Sequence, residues 1–178
     1  MKKIIALLFV FLFETPTISA DSSNEIKRIV IGNKNAKITI IAYESMTCSH
    51  CANFHINILP DLKNEYIDTG IAKIEFRHFP LDVAAFNASK IAQCKNDGNS
   101  DILSILYLNQ SKWIKGKTID EVNENLKKFL ISEKIEIDFN KCTTDKNIED
   151  FILNDRIEGV KKFKVNATPT IIINDKKF

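Results

Sequence analysis

Apolar positions along this chain fall into two periods. Ile38, Ile40, Ile41 and Tyr43 make an almost continuous β-branched and aromatic run, the pattern of a strand covered on both faces. After Cys48-Ser49-His50-Cys51 the spacing turns helical, and Phe54, Ile58, Leu59 and Leu62 are predicted to share the buried face. Pro60 has no amide donor, yet Leu62 and Tyr66 continue the pattern, so the proline is expected to kink this helix rather than end it; Thr69-Gly70 closes it. Residues 71–79 alternate around Ile74 and Phe76 and predict a second strand that stops before Pro80. Upstream, Ile29-Val30-Ile31 and the turn Gly32-Asn33 predict a small edge strand.

Residues 82–145 hold no convincing strand pattern. Val83–Cys94 and Ile102–Leu108 read as helices, and Thr118-x-x-Glu121 is a capping box opening a third through Val122, Leu126, Phe129 and Leu130. A fourth, longer helix spans about residues 146–163, carrying Ile148, Phe151, Ile152 and Val160. Trp113, in the connection at 111–117, is expected to plug a seam between subdomains. Strand chemistry returns at Thr170-Ile171-Ile172-Ile173 behind Ala167-Thr168-Pro169, where the proline cannot donate to a ladder and is a candidate for a cis bond in a tight turn.

The first 20 residues have another character. Lys2 and Lys3 precede the apolar run Ile4–Phe13 and the small-residue end Ile18-Ser19-Ala20, which reads as a signal peptide cleaved after Ala20, since a permanent anchor wants about 20 apolar residues. Losing Lys2, Lys3 and Glu14 from 25 basic and 23 acidic residues leaves a net charge one unit above zero, with no basic arm or stripe for nucleic acid. Residues 21–178 are long enough for one domain with a real core, and four cysteines on an exported chain imply an oxidising compartment.

The candidate chemistry lies in Cys48-Ser49-His50-Cys51. Cys48 falls where strand gives way to helix, and unsatisfied backbone amides at a helix start favour a thiolate, so Cys48 is the candidate nucleophile. Cys51, one turn further in, is the candidate resolving thiol, and His50 is placed to tune the pair by its charge. Half of a zinc site is an alternative, but Cys94 and Cys142 form no second close pair, so no metal is assigned; a short structural disulfide is another alternative. Cys94 and Cys142, the other two cysteines of an exported chain, are expected to join in a second, non-catalytic disulfide, the alternative being two buried free thiols. His55 and His78 are expected to serve packing or hydrogen bonding.

The stretches IGNKNAKITIIAYESMTCSHCANFH, LPDLKNEYIDTG, FRHFPLD and VNATPTIIIN together resemble the DsbA family of thiol-disulfide oxidoreductases, over nearly all of residues 21–178. The resemblance implies an α/β thioredoxin-like fold, with its core at about 29–81 and 146–178 and an inserted helical subdomain at about 82–145. It implies that Cys48 is the exposed nucleophile and Cys51 its partner, that Pro169 is a cis proline facing them, and that Thr168 meets the substrate backbone. A branch of the family also carries a second cysteine pair, which favours the Cys94–Cys142 bridge. Ser49 stands where many relatives have proline, and Ala42 where relatives often have a glutamate. Glu44, on the same strand face as Ala42, either partly substitutes for that acid or does little as an exposed strand-end carboxylate. The family continues past Phe178 into another strand and a final helix, so the sheet is expected to lack these and to leave Thr170–Ile173 with an open edge.

On this resemblance the chain is expected to be a periplasmic dithiol oxidase that gives its disulfide to reduced secreted proteins, with no cofactor, no permanent membrane anchor, and reoxidation by a membrane partner of the DsbB kind. A disulfide isomerase or reductase is the rival enzyme, and a non-redox holdase using the groove near Pro169 is the rival from another class.

Overall fold

A computed structural model describes residues 25–99 and 101–178; the expected signal peptide lies outside the described residues. Five strands form one sheet: β1 (Ile29–Gly32), β2 (Ile38–Glu44), β3 (Ala72–His78), β4 (Thr170–Ile173) and β5 (Lys176–Lys177), in the order β1-β3-β2-β4-β5. Strands β2 and β3 are parallel, with Ile40 opposite Ile74 and Glu44 opposite His78, while β1, β4 and β5 join antiparallel. The continuous apolar run of β2 has the cause expected of it, since both faces are covered. Ile40 and Ala42 enter the main core, and Ile41 and Tyr43 enter a second cluster with Phe79, Phe163, Val165 and Ile172.

The crossover from β2 to β3 is one helix with two widened turns. Ser49–Asn53 (α1) is α-helical, Phe54–Ile58 is a π-turn, Leu59–Leu62 (α2) is α-helical again and Lys63–Ile67 is a second π-turn. In the first π-turn the Leu59 N–H bonds to the Phe54 carbonyl, five residues back. Pro60, just beyond, has no N–H to give and its ring would crowd the Ile56 carbonyl in a strict α-helix. The extra residue shifts the helical phase. Leu59 therefore takes the inward place expected of Ile58, which is 50% exposed, and the polar His55 turns into the core.

Between β3 and β4 come six helices: α3 (Val83–Gln93), α4 (Asp101–Leu108), α5 (Gln110–Trp113), α6 (Ile119–Ser132), α7 (Phe139–Thr144) and α8 (Lys146–Phe163). Thr118 and Glu121 complete the capping box of α6, Asp82 caps α3, and Asp145 caps α8. The short helices α5 and α7 escaped the periodicity reading because one or two turns hold too few apolar positions to show a period. Trp113 is fully buried, and its indole N–H donates to the Leu106 carbonyl at 2.9 Å. α8 packs on the far face of the sheet, where Gly159 is needed because a Cβ there would stand 2.8 Å from the Tyr43 ring.

The open edge expected on β4 is not present. Asn174 and Asp175 both adopt positive φ and make a tight turn that lays β5 against β4, with Ile172 opposite Lys177. A two-residue Asn-Asp connection is a hairpin signal in its own right, overlooked in favour of the family pattern.

Cys94, at the end of α3, and Cys142, in α7, are joined by a disulfide with their Cα atoms 5.4 Å apart. Beside it the buried Lys90 donates to Thr143 O and Glu149 Oε2, so α3 is tied covalently and by charge to α7 and α8. With 48 residues separating the cysteines, loop closure by this bridge is worth about 4 kcal/mol by the chain-entropy model. Cys94→Ser with Cys142→Ser should therefore lower the thermal unfolding midpoint by roughly 10 °C while leaving exchange at Cys48 and Cys51 largely intact; an unchanged midpoint in a calorimetric scan would show that the bridge adds nothing.

Candidate functional site

The site forms where the parallel pair of strands ends. β2 stops at Glu44, the chain turns through Ser45-Met46-Thr47, and Cys48 occupies the N-cap position of α1 with extended φ −78° and ψ 120°. Three contacts hold this turn: the Cys48 N–H donates to Ser45 O (3.0 Å), Leu81 N–H donates to Ser45 Oγ (3.3 Å), and the Thr47 hydroxyl donates to Asp82 Oδ2 (2.7 Å). Asp82 spends its other oxygen capping α3 at the Ala85 N–H (2.7 Å), so the turn and the helical region share one carboxylate.

Cys48 and Cys51 are both free thiols and their surroundings differ sharply. The Cys48 sulfur is half-buried, and its S–H donates to the Thr168 carbonyl at 3.2 Å. Thr168 precedes Pro169 across a cis peptide bond, which brings the end of the loop before β4 against the nucleophile's position. Burial opposes ionisation of Cys48, but the Thr168 side chain and then the donors of Cys51 and the His50 backbone N–H outweigh it and hold the thiol below its ordinary pKa. The Thr168 hydroxyl is buried without a hydrogen-bond partner, leaving it free to turn toward a thiolate. Cys51 is 0% exposed. Burial first, and then the nearby Glu44 carboxylate, push its thiol far above the ordinary value.

Beneath Cys51 lies a buried ionisable group that the sequence reading left undecided. Glu44 is 3% exposed, so the alternative that it is an exposed strand-end carboxylate is overturned. On β2 it follows Ile40 and Ala42 on the face covered by α1, and that face stays covered to the strand's last residue. Glu44 Oε2 lies 2.8 Å from Nε2 of His55, itself 4% exposed. The His55 ring stacks on Tyr107 of α4 at 4.1 Å between centroids and leans on Phe76 of β3 at 5.2 Å. Burial raises the Glu44 pKa, with the imidazole partly opposing it, and burial followed by the charges of Glu44, Cys51 and Cys48 raises that of Tyr107. Glu44 Oε1 and His55 Nδ1 have no hydrogen-bond partner, so the pair keeps a lone pair and a ring nitrogen unspent.

The sequence-predicted residues thus divide. Cys48, Cys51, Thr168 and Pro169 come together; the His50 ring is exposed, and what its residue brings to the Cys48 sulfur is the backbone N–H. His55, assigned to packing, pairs with Glu44 under the site, whereas His78 is remote, held by Gln93 (3.3 Å) and kept neutral by burial that lowers its pKa. The missed signal was positional: His55 is four residues past Cys51, on the inward face of the same helix. Among the described residues, no group of three or more His, Cys, Asp and Glu side chains could hold a metal ion.

A family model described as Thioredoxin matches residues 24–178. A Rickettsia bellii protein provisionally named a protein-disulfide oxidoreductase is 32% identical over 148 residues, covering 82% of this chain and 56% of that protein. This chain therefore spans little more than half the length of that relative. Disulfide bond formation protein D of Bacillus subtilis is 24% identical over 157 residues, which is 83% of this chain and 68% of that protein. Among solved structures, the alpha-DsbA1 protein of Wolbachia pipientis superposes with a TM-score of 0.73 at 31% identity, covering 85% of this chain and 78% of that one.

The two thiols should separate in a labelling experiment. Brief treatment of the reduced protein with iodoacetamide at about pH 6 should modify Cys48 and spare Cys51, because only the thiolate reacts. Thr168→Val, which removes the hydroxyl and keeps the shape, should move the midpoint of Cys48 labelling to higher pH. Preferential labelling of Cys51 would reverse the two assignments.

Proposed function

The chain belongs to the thioredoxin family in its DsbA-like form, and from that premise we propose that it is an exported thiol-disulfide oxidoreductase that donates a Cys48–Cys51 disulfide to reduced secreted proteins. The observation that supports this most is the asymmetry of the two thiols, one half-buried with a lowered pKa and one fully buried with a raised pKa. Stabilising the Cys48 thiolate stabilises the reduced protein, and a dithiol whose reduced form is stabilised is a strong oxidant. The chemistry proceeds in two exchanges. A substrate thiolate attacks Cys48 Sγ of the oxidised protein, the Cys48–Cys51 bond breaks, and Cys51 leaves with the electron pair. A second substrate thiolate then attacks the substrate's sulfur in the mixed disulfide and expels Cys48 as the stabilised thiolate. The substrate loses two electrons, which the Cys48–Cys51 pair gains.

Cys51 is a poor leaving group as a buried thiolate, and the Glu44–His55 pair answers this need. Burial favours the protonated carboxyl of Glu44, which hands its proton to Cys51 as that sulfur leaves and takes it back when Cys51 must attack during reoxidation. Thr168 and Pro169 present a backbone edge to the substrate segment carrying the attacked cysteine. Reoxidation falls to a two-electron acceptor in the membrane, of the DsbB kind. The work is placed in the periplasm, reached through the signal peptide at residues 1–20. Among the described residues no helix is long and apolar enough to cross a membrane.

Equilibration in glutathione buffers tests the direction of transfer: the pair should have a midpoint above about −180 mV, and a value near that of thioredoxin would make the protein a reductase. The His50 ring, being exposed, acts on Cys48 through solvent. His50→Ala should therefore make the pair less oxidising at low salt, and the difference should vanish near 1 M salt, where screening is almost complete.

Glu44 provides a second test. Because burial raises its pKa, its protonated form is the one the fold favours; that contribution to stability is present below the unfolded-state pKa and is lost as pH rises through the folded-state value. Glu44→Gln should thus unfold at the same or a higher temperature than the parent at neutral pH, while exchange through Cys51 slows by roughly ten- to a hundredfold. Unimpaired exchange would remove Glu44 from the proton path.

A further inference from the structure

One side chain from the helical region reaches the nucleophile's own backbone. Gln110, the first residue of α5, donates from Nε2 to Met46 O at 2.9 Å and to Cys48 O at 3.0 Å. The Cys48 carbonyl also accepts the N–H groups of Cys51 and Ala52, each at 3.1 Å. The carboxamide therefore binds the carbonyls on either side of Thr47, the residue just before the reactive cysteine, and places its N–H dipole close to the sulfur. Gln110 also borders, with Ser49, Asn53, Ile56 and Tyr107, a groove of about 280 Å³ that opens beside Cys48.

We propose that Gln110 is a positioning residue for the Cys48 thiolate: it fixes the Met46–Cys48 peptide planes so that the backbone donors of residues 50 and 51 stay aimed at the sulfur, and it adds positive potential there. The inference rests on the reading of Cys48 as nucleophile. Two observations carry it. The donors that lower the Cys48 pKa converge on the sulfur only while residue 48 keeps its extended N-cap conformation, and the orientation of its carbonyl is what Gln110 holds. The turn is already tethered to the helical region through Thr47–Asp82 and Leu81–Ser45, so Gln110 is not required merely to attach one part of the protein to the other.

The test is a set of variants of the full chain read by the Cys48 pKa, from thiolate absorbance against pH, and by the rate of mixed-disulfide formation. Gln110→Met keeps the size and removes the donor; the thiolate population at acidic pH should fall roughly fivefold, the equilibrium equivalent of one lost hydrogen bond of ~1 kcal/mol. Gln110→Glu sets a carboxylate against two carbonyls and should raise the pKa further. Ser111→Glu, on the exposed neighbouring residue, reports the effect of charge alone and should shift it less than Gln110→Glu. A parent-like Cys48 pKa in Gln110→Met, whether or not its unfolding temperature falls, overturns the proposal. So does a shift in Ser111→Glu as large as that in Gln110→Glu. The parent separates the two levels of inference, because a parent Cys48 with an ordinary pKa refutes the nucleophile reading itself, before any variant is compared.

Discussion

A carboxylate almost sealed from water at the end of the central strand is the constraint around which this molecule is arranged. Isolated in apolar surroundings, a charged Glu44 would be costly, and the protein meets that cost with a single neighbour, the His55 imidazole. Bringing His55 inward needs the extra residue of the Phe54–Ile58 turn, and keeping it dry needs Tyr107 from the helical region and Phe76 from β3. The inserted helices are thus a wall of the site. Removing that wall would admit water to Glu44 and weaken its influence on Cys51.

The opposite face of the sheet carries a different kind of polar chemistry, and its groups are spoken for. Arg77 of β3 lies beside Glu158 of α8, Glu75 and the ring of Tyr43, whose phenol burial pushes up to about 12. Asp155 accepts from Arg28 and from the His78 backbone N–H, fastening the start of the chain, the end of β3 and α8 together. Most polar atoms here find partners, whereas the Glu44–His55 pair does not fill its capacity. Stabilising networks and proton-handling groups are distinguished by what they leave unsatisfied.

Much of this architecture was legible in the residues. The both-sided burial of β2, the alternation of β3, the caps at Thr118 and the cysteine pair each follow from local physical chemistry that tertiary packing did not override. The failures share a cause. Ile58 and His55 exchanged their expected environments because one extra residue in a helical turn rotates everything beyond it, and hydropathy gives no sign of that insertion. Glu44 could be placed on the correct face by strand periodicity, but its burial depends on α1 and α4 closing over it. Gln110 had no sequence signal at all, since an isolated amide acquires meaning only from the carbonyls that lie opposite it.

The long excursion between β3 and β4 also sets an order of assembly. Cys48 and Cys51 are synthesised early, with Cys94 and Cys142 following, while Thr168, the strongest aid to the Cys48 thiolate, arrives some 120 residues after it. Until β4 docks beside β2, Cys48 lacks that partner, and its acidity is closer to that of an unassisted cysteine. A nascent chain holding four thiols is therefore least reactive at the stage when mispairing would be most damaging. Its exchange chemistry switches on with the last strands to join the sheet, so completion of the fold acts as its own safety catch.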